Sequence, residues 1–252
     1  MRRTGPYDRI ERATVIVPAH DEQDRIVSAM RSLCRAAERS SIPVDGVIVF
    51  DACLDATRSV AVQFAESETP MSWTFLEVSR RRASSSRGDG LAHVVDHFSG
   101  CVPFDRIAVL STDADTVVPV DWIRDHVMRL DDGDDAVAGV VELDGDESDD
   151  LCVASWRSEY RTLFSSDGTH PHVHGANLAV RLDALVAAGG FGHQSRAEDI
   201  DVWNRLKNVP GVRLRSDQTS VVRTSARLDG RVVGGFATAL QQFRTANQST
   251  KV

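Results

Sequence analysis

The feature that most constrains the fold is a repeated alternation between short β-branched runs and amphipathic segments in the first half of the chain. Apolar residues at Ile26, Met30, Leu33 and Ala37 recur every three or four positions, which predicts a helix beginning at Asp21. Further helices are predicted at 55–65 and 90–98, and strands at 13–18, 46–50, 73–78 and 107–112. This order predicts an α/β fold with a mostly parallel sheet covered by helices on both faces.

The second half is less regular but contains the same two kinds of element. Helices are predicted at 121–130, 152–164 and from 198 onward, and strands at 136–143 and 175–180. Trp156 and Tyr160 have helical spacing and are expected to pack in the core. No internal repeat or linker rich in Gly, Ser or Pro is present, so residues 1–252 are predicted to form one domain with halves at 1–118 and 119–252.

Composition argues against several classes of function. The 29 basic and 37 acidic side chains give a net charge of −8, which argues against a nucleic-acid or anionic-membrane partner, although peripheral membrane contact stays open. No apolar run approaches the ~20 residues that span a bilayer, and no apolar segment of a secretory signal follows the first arginines. The four cysteines are widely spaced, which predicts reduced thiols in a cytoplasmic protein. The sequence does not indicate an oligomeric state.

Two carboxylates stand at the end of a predicted buried strand, where Asp113 and Asp115 follow the run IAVLS. Burying an unpaired carboxylate costs several kcal/mol, so a cationic or hydrogen-bonding partner is expected there. Side chains two residues apart in an extended segment point the same way, and paired carboxylates suit Mg²⁺ or Mn²⁺. Asp51 follows another strand and is expected at the same carboxyl edge, where ligands of such sheets bind. The alternative is an ordinary surface turn.

Five segments of the chain, in this order, resemble the motifs of family 2 glycosyltransferases. The segments are VIVPAHDEQDRI (15–26), VIVFDACLDATRSVA (47–61), STDADTVVPVDWI (111–123), GANLAVRLDALVAAGGF (175–191) and AEDIDVWNRL (197–206). The resemblance implies the GT-A fold, a Rossmann-like α/β arrangement with a mostly parallel mixed sheet flanked by helices. It also implies transfer of a sugar from a UDP- or GDP-sugar, with the donor in the first half and the acceptor in the second.

Carried over onto this sequence, the resemblance implies a set of nucleotide-binding residues. They are Pro18, His20, Glu22, Asp51, Arg87, Asp113 and Ala114. Asp113 is expected near the ribose, while Asp115, with Asp113, is expected to hold Mn²⁺ or Mg²⁺. The His-Asp-Glu sequence at 20–22 departs from the more usual Tyr-Asn-Glu. The alternatives are a charge at a helix start for Glu22, a turn cap for Asp51 and part of a solvated basic run for Arg87.

The family's Glu-Asp pair corresponds to Glu198 and Asp199. The resemblance implies that Asp199 is the general base, which takes a proton from the acceptor hydroxyl as this attacks the anomeric carbon. A single displacement of this kind inverts the anomeric centre. The alternative is that both residues are only acidic charges that favour the N-terminus of a helix.

Histidines occupy alternate positions at His170, His172 and His174. Alternation places them on one side of an extended segment, as a zinc site requires, but Pro171 interrupts the pattern and disfavours zinc. The preferred interpretation is an acceptor pocket lined by His172, His174, Gly175 and Asn177. The alternative is a polar loop with surface histidines.

Two departures from the family pattern limit the expected chemistry. Many relatives have a further metal ligand, often His, after their last strand, but the corresponding region TSVVRTSARLDGR (219–231) contains no His, and Arg223, Arg227 or Arg231 is expected to bind the diphosphate instead. The Gln-x-x-Arg-Trp motif of processive members is absent, which favours a single transfer. The sequence does not select an acceptor, although a relative that makes a glycosyl phosphoglycerate is conceivable.

Two other functions remain open from the sequence alone. A sugar-nucleotide pyrophosphorylase also combines an α/β nucleotide half with a metal-binding Asp. Those enzymes usually carry a Gly-rich loop with Arg and Lys after the first strand, where this chain has VPAHDEQDRI. A non-catalytic nucleotide-sugar-binding homologue is the other alternative, suggested by the unusual His-Asp-Glu sequence and the missing C-terminal His.

Overall fold

The computed structural model describes residues 9–67, 69–79, 83–144, 151–192 and 198–225. The strands in these ranges are β1 (Arg12–Ala19), β2 (Val44–Asp51), β3 (Ser72–Val78), β4 (Ile107–Ser111), β5 (Thr116–Val117), β6 (Ala136–Asp144), β7 (Leu178–Arg181) and β8 (Leu214–Ser225). The helices are α1 (Ile26–Glu38), α2 (Thr57–Ala65), α3 (Ala83–Phe98), α4 (Trp122–Asp131), α5 (Leu151–Thr162), α6 (Leu182–Ala187) and α7 (Glu198–Lys207), with a 3₁₀ turn at Phe104–Arg106.

All these strands form one mixed sheet in the order β3-β2-β1-β4-β7-β6-β8-β5. The four strands β1 to β4 pair in parallel, with β1 between β2 and β4. Strand β7 is antiparallel to both β4 and β6, and β8 returns parallel to β6. The predicted α/β class with a mostly parallel mixed sheet is therefore confirmed.

Both faces of the sheet are buried, as expected for a parallel sheet between helices. Along β1, Val15 and Val17 pack into one core layer and Ile16 into the other. The first layer also contains side chains from α1, α2 and α4, such as Met30, Ala61 and Leu130. The second layer contains side chains from α3, α6 and α7, such as Leu91, Leu185 and Leu206.

Three boundaries differ from the sequence prediction. The helix expected from Asp21 begins at Ile26. Asp21 has φ +53°, a left-handed conformation that excludes a helix start there, and Arg25, at the N-cap, has the non-helical angles φ −123° and ψ −30°. Helix α3 begins at Ala83, earlier than the predicted residue 90, and β7 begins at Leu178 rather than 175. The other predicted elements agree with the structure to within about two residues.

The second half contributes helix α5, which packs against β6. Tyr160 is buried in the core, as predicted, and Trp156 is partly buried beside it with the rings 4.6 Å apart. The pairing of β6 with β8 shifts register between Gly139 and Val140.

Within the described ranges, no helix is long and apolar enough to cross a membrane. Cys34, Cys53 and Cys101 are free thiols.

Candidate active site

The carboxyl ends of the central parallel strands carry the acidic residues that the sequence singled out. Asp51 is the last residue of β2, and Ser111 is the last residue of β4, two positions before Asp113. Because β2 and β4 flank β1 in parallel, their ends meet at one edge of the sheet. Side chains from α3 and α7 complete the site at this edge.

Arg87 of α3 lies at the centre of the site. The residue is 4% exposed, and its guanidinium donates through Nε to Ser111 Oγ at 2.8 Å. Its two terminal nitrogens donate to Asp113 Oδ1 and Glu198 Oε1. Burial alone would lower the pKa of the guanidinium, but Asp113 and Glu198 raise it above its ordinary value. Arg87 is therefore a buried permanent cation between two carboxylates.

Gly175 connects this cation to the second acidic residue of α7. Its amide N–H donates to Asp199 Oδ2 at 3.0 Å, and its carbonyl accepts from Ser111 Oγ at 2.7 Å. A Cβ atom at position 175 would lie 2.6 Å from Arg87 Cζ, so only glycine leaves room for the guanidinium. We call Arg87, Asp113, Glu198 and Asp199, together with Ser111 and Gly175, the charged cluster.

The two adjacent acids of α7 have different surroundings. Glu198 is buried, and burial raises the pKa of its carboxyl, while Arg87 opposes that rise. Asp199 is only half-buried, and its Oδ1 accepts the N–H of Ile200 at 2.8 Å. Glu198 is thus tied to Arg87, whereas the Asp199 carboxylate is oriented by backbone amides and stays accessible.

The loops after β1 and β2 are joined by hydrogen bonds. His20 donates from Nδ1 to the carbonyl of Asp51, and Asp21 Oδ1 accepts the N–H of Leu54 at 2.7 Å. The N–H of Glu22 donates to Thr57 Oγ1 at 2.6 Å, and the Glu22 side chain is buried. These contacts bring the first loop next to the residue that ends β2 and to the turn that follows it.

Asp51 and Pro18 lie deeper than the loop residues around them. Asp51 is 2% exposed, and its carboxylate accepts a hydrogen bond from Ser86 Oγ at 3.0 Å. Pro18 is buried within β1 opposite Val49. The residue after Asp51, Ala52, has φ +52°, so the chain turns sharply where β2 ends.

Asp115 belongs to the same edge but has different partners from Asp113. Its Oδ1 accepts a hydrogen bond from Thr224 Oγ1 of β8 at 3.3 Å, and Ala114 is buried between the two acids. Both carboxylates are partly exposed. Such oxygen donors fit a divalent ion that takes its other ligands from water and a diphosphate. Among the described residues, no three His, Cys, Asp or Glu side chains come together as a metal-binding group.

Comparison with known proteins decides the family. The sequence model of "Glycosyl transferase family 2" matches residues 14–187, which is more than half of the chain. The chain belongs to glycosyl transferase family 2. A comparison with curated proteins gave no match.

Solved glycosyltransferase structures share the fold. A mannosyltransferase from Pyrobaculum calidifontis, in complex with GDP-Man and Mn²⁺, has a TM-score of 0.63 at 22% identity, covering 90% of this chain and 60% of its own. S. aureus TarS 1-349 in complex with UDP-GlcNAc has a TM-score of 0.59 at 14% identity, covering 86% and 59%. Glucosyl-3-phosphoglycerate synthase from Mycobacterium tuberculosis, in complex with Mn²⁺, UDP and phosphoglyceric acid, has a TM-score of 0.52 at 15% identity, covering 93% and 77%. The chain spans about three fifths of the first two structures.

In this member of glycosyl transferase family 2, the three alternating histidines form a stack beside α5. His172 stacks on Tyr160 at 3.8 Å and donates from Nε2 to the Tyr160 carbonyl at 3.1 Å. His170 is buried and donates from Nε2 to the carbonyl of Ala138 at 3.1 Å. The Tyr160 hydroxyl donates to His174 Nε2 at 2.9 Å, and burial lowers the pKa of His174 to about 3. His174 is therefore neutral and leads directly into Gly175.

Asn177 requires a correction. Its side chain is fully buried, so it does not line an open acceptor pocket. The Asn177 amide donates to the carbonyls of Val140 and Ser220, at 2.9 and 3.0 Å. Its Oδ1 accepts from Trp122 Nε1 at 2.9 Å and from His126 Nε2 at 3.0 Å. We call Trp122, His126, Asn177 and Ser220 the amide cluster.

Other predicted and missed residues complete the account of the site. Arg223 is exposed on β8, while Arg227 and Arg231 lie outside the described residues. Ser111 and Thr224 were not singled out from the sequence, although each contacts a predicted acid or its partner. The only sequence signal for Ser111 was its position as the last strand residue before Thr-Asp.

Proposed function

We propose that this protein is an inverting glycosyltransferase that moves a sugar from a UDP- or GDP-sugar to an acceptor hydroxyl with the help of a divalent metal ion. The observation that carries the proposal is the charged cluster. Within it, Asp113 from the donor side of the sheet edge and Asp199 from α7 are linked through Arg87 and Gly175. One site thereby holds Asp113, a carboxylate on the side where the sugar donor would bind, and Asp199, the candidate base.

The donor side supports nucleotide binding. Asp51 and Asp113 stand at the carboxyl edge of the parallel sheet, where nucleotide ligands bind in such folds. His20 and Glu22 belong to the loop that is hydrogen-bonded to the turn after β2. Structurally similar proteins bind GDP-Man, UDP-GlcNAc or UDP, which supports a nucleoside-diphosphate sugar as donor.

Asp115, with Asp113, would hold Mn²⁺ or Mg²⁺, and complexes of similar proteins with Mn²⁺ support this assignment. When bound, such an ion neutralises charge that develops on a departing nucleoside diphosphate. The chain's own contribution is to present two partly exposed carboxylates on the turn that follows β4. Thr224 helps by bonding to Asp115 from the neighbouring strand.

Asp199 would act as the general base in the acceptor half, which we place at 119–252. Its carboxylate is oriented by the amides of Gly175 and Ile200 and is half-exposed, so an acceptor hydroxyl can reach it. The hydroxyl oxygen attacks the anomeric carbon as its proton passes to Asp199. The bond to the diphosphate breaks in the same displacement, which inverts the anomeric centre.

The remaining acceptor contacts are assigned by position. His172 and His174 stack beside Tyr160 immediately before Gly175, which supports a place for them at the acceptor side. Arg227 is proposed to bind the diphosphate.

Free thiols at Cys34, Cys53 and Cys101 support a reducing compartment such as the cytoplasm.

A thermal-shift screen tests this function. The purified protein is mixed with UDP, GDP and their sugar conjugates, each with and without Mn²⁺. A ligand that binds the native state raises the melting temperature according to its concentration relative to Kd. We expect one nucleotide series to raise the melting temperature, and to do so more strongly with Mn²⁺. If none of them raises it, the assignment of the donor site is wrong.

A further inference from the structure

The contacts of Arg87 differ from those expected of a residue that binds the donor directly. Its side chain is 5% exposed, and its Nε and both terminal nitrogens already donate to protein oxygens. Asp113, by comparison, keeps 37% of its side chain exposed. A donor molecule arriving at this edge therefore meets Asp113 first, with the guanidinium behind it.

Arg87 connects three parts of the chain that are far apart in sequence. It projects from α3 to Asp113, which follows β4, and to Glu198, which opens α7 and lies 111 positions away. The donor side of the site and the helix that carries the candidate base are thus connected through one guanidinium. The rigid, planar fork of Arg suits this bridging of two carboxylates better than a Lys ammonium would.

The surroundings of Arg87 fix its position. Ser111 Oγ accepts a hydrogen bond from Arg87 Nε and donates one to the Gly175 carbonyl, so the end of β4 and the loop that contains Gly175 are both linked to the guanidinium. Three guanidinium atoms would lie 2.6–3.0 Å from a Cβ at position 175. Because Gly175 also donates to Asp199, a shift of Arg87 would be transmitted to the candidate base.

We propose that Arg87 is a positioning residue that couples the donor carboxylate Asp113 to the acceptor-side helix α7 through Glu198, rather than a ligand of the nucleotide. The inference rests on the proposed function, because that function assigns Asp113 to the donor side of the site and α7 to the acceptor side. It predicts that a change at Glu198, on the acceptor side, alters nucleotide binding only while Arg87 is present.

A double-mutant cycle on nucleotide affinity tests the coupling. UDP and GDP, each with Mn²⁺, are titrated calorimetrically into the wild type, Glu198→Gln, Arg87→Met and the double variant. A neutral amide at 198 leaves Arg87 paired with Asp113 alone, which shields that carboxylate from the ligand. We expect Glu198→Gln to raise Kd about 3- to 30-fold in the wild-type background and to leave it unchanged in the Arg87→Met background.

Two results would overturn the proposal. If Arg87→Met raises Kd while Glu198→Gln does not, Arg87 is a direct ligand of the nucleotide. If both changes raise Kd independently, so that their effects multiply in the double variant, the two residues are not coupled. The control is the Arg106–Glu11 ion pair, 2.9 Å long, which lies at the opposite, amino ends of β4 and β1. Arg106→Met and Glu11→Gln should leave nucleotide affinity unchanged.

Thermal unfolding of the same variants separates this inference from the proposed function. Arg87→Met leaves the buried Glu198 carboxylate without its cation, so Glu198→Gln should lower the melting temperature of the wild type but raise that of Arg87→Met. Lowering in both backgrounds would refute the coupling even if no nucleotide binds. If Arg87→Met does not fold, Arg87→Lys replaces it, and Glu198→Gln should then lower the melting temperature less than in the wild type.

Discussion

Two polar clusters meet only two residues apart in the chain, at Gly175 and Asn177, and they differ in almost every physical property. The charged cluster around Gly175 contains one cation and three carboxylates and opens to solvent through Asp113 and Asp199. The amide cluster around Asn177 contains neutral groups and is closed to solvent at its centre. Charge is placed where a ligand can arrive, and neutral hydrogen bonds are placed where strands must be held together.

The position of each cluster in the sheet explains the difference. Gly175 lies in the loop that meets the carboxyl end of β4, whereas Asn177 directly precedes β7 and bonds to both β6 and β8. A Cβ at Gly139 would lie 2.3 Å from Asn177 Nδ2, so the amide fills the place where β6 and β8 change register. We infer that the first cluster serves catalysis and the second serves folding.

The largest expected effect is on catalysis and comes from the charged cluster. Asp199→Asn keeps the side-chain shape but removes the proposed base, so the rate of nucleoside-diphosphate release from the accepted sugar donor should fall about 10²- to 10⁴-fold. Its melting temperature should fall modestly, because the amide nitrogen cannot accept one of the two backbone N–H bonds that Asp199 receives from Gly175 and Ile200. Asp201→Asn, on the same helix and paired with Arg205 at the surface, is the control and should keep its activity. Equal activity of Asp199→Asn and the wild type would remove the base from α7.

The second prediction concerns the amide cluster and should appear as lost stability. Asn177→Ala leaves Trp122 Nε1 and the carbonyls of Val140 and Ser220 buried without this partner, at about 1–3 kcal/mol for each unsatisfied group. Urea unfolding should therefore show a loss of about 3 kcal/mol or more. Asn208→Ala, at the exposed end of α7, should stay within about 0.5 kcal/mol. If Asn177→Ala is stable but inactive, the division between the clusters is wrong.

The two clusters also show how far the sequence predicts this molecule. The sequence pattern located every strand of the parallel half as a short β-branched run, because strands that are buried on both faces are apolar along their whole length. It missed the first turns of α3, where three consecutive serines at 84–86 and glycines at 88 and 90 lower helix propensity. That segment is helical in its tertiary setting, in which Ser86 bonds to Asp51 and Arg87 enters the charged cluster.

The sequence motifs indicated candidate site residues but not which side chains those residues contact. The motifs pointed to Arg87, Asp113 and Glu198, yet no spacing rule indicates that one guanidinium bridges residues 26 and 111 positions away. Asn177 was assigned to the acceptor pocket because of its position beside His172, His174 and Gly175 at the predicted strand GANLAV. Its burial depends on Trp122 and His126 of α4, which the chain brings from more than 50 positions away.

The third prediction returns to the charged side of the comparison and concerns the metal. Asp115→Asn should weaken nucleotide binding in the presence of Mn²⁺ by about 10- to 100-fold, the scale on which changes around a metal site act. Affinity for the nucleotide without metal should be unchanged, because the amide keeps the shape and can still accept from Thr224. Calorimetric titration of UDP or GDP with and without Mn²⁺ measures both values. Asp125→Asn, on the exposed side of α4, is the control.

The smallest predicted effect tests whether the amide cluster stays neutral. Burial lowers the pKa of His126 from 6.5 to about 4, an effect to which Arg129 adds and which Asn177, Asp217 and Asp125 oppose. Above pH 6.5 the imidazole is neutral in both states. Below pH 6.5 the imidazole is protonated in the unfolded chain, whereas in the native state it stays neutral down to about pH 4. The free energy of unfolding therefore falls as the pH drops from 6.5 to about 4.

His126→Gln should remove that part of the acid sensitivity. Between pH 7 and pH 5, the loss of unfolding free energy measured in urea should be about 1–2 kcal/mol smaller than in the wild type. His97→Gln, on the exposed face of α3, should keep the wild-type pH dependence. The histidine stack next to Gly175, whose pKa values are also lowered by burial, would still destabilise both proteins in acid, so a residual slope is expected. An unchanged difference between the two pH values would mean that His126 accepts a proton in the native state. The amide cluster would then carry a charge in the native state, as the charged cluster does.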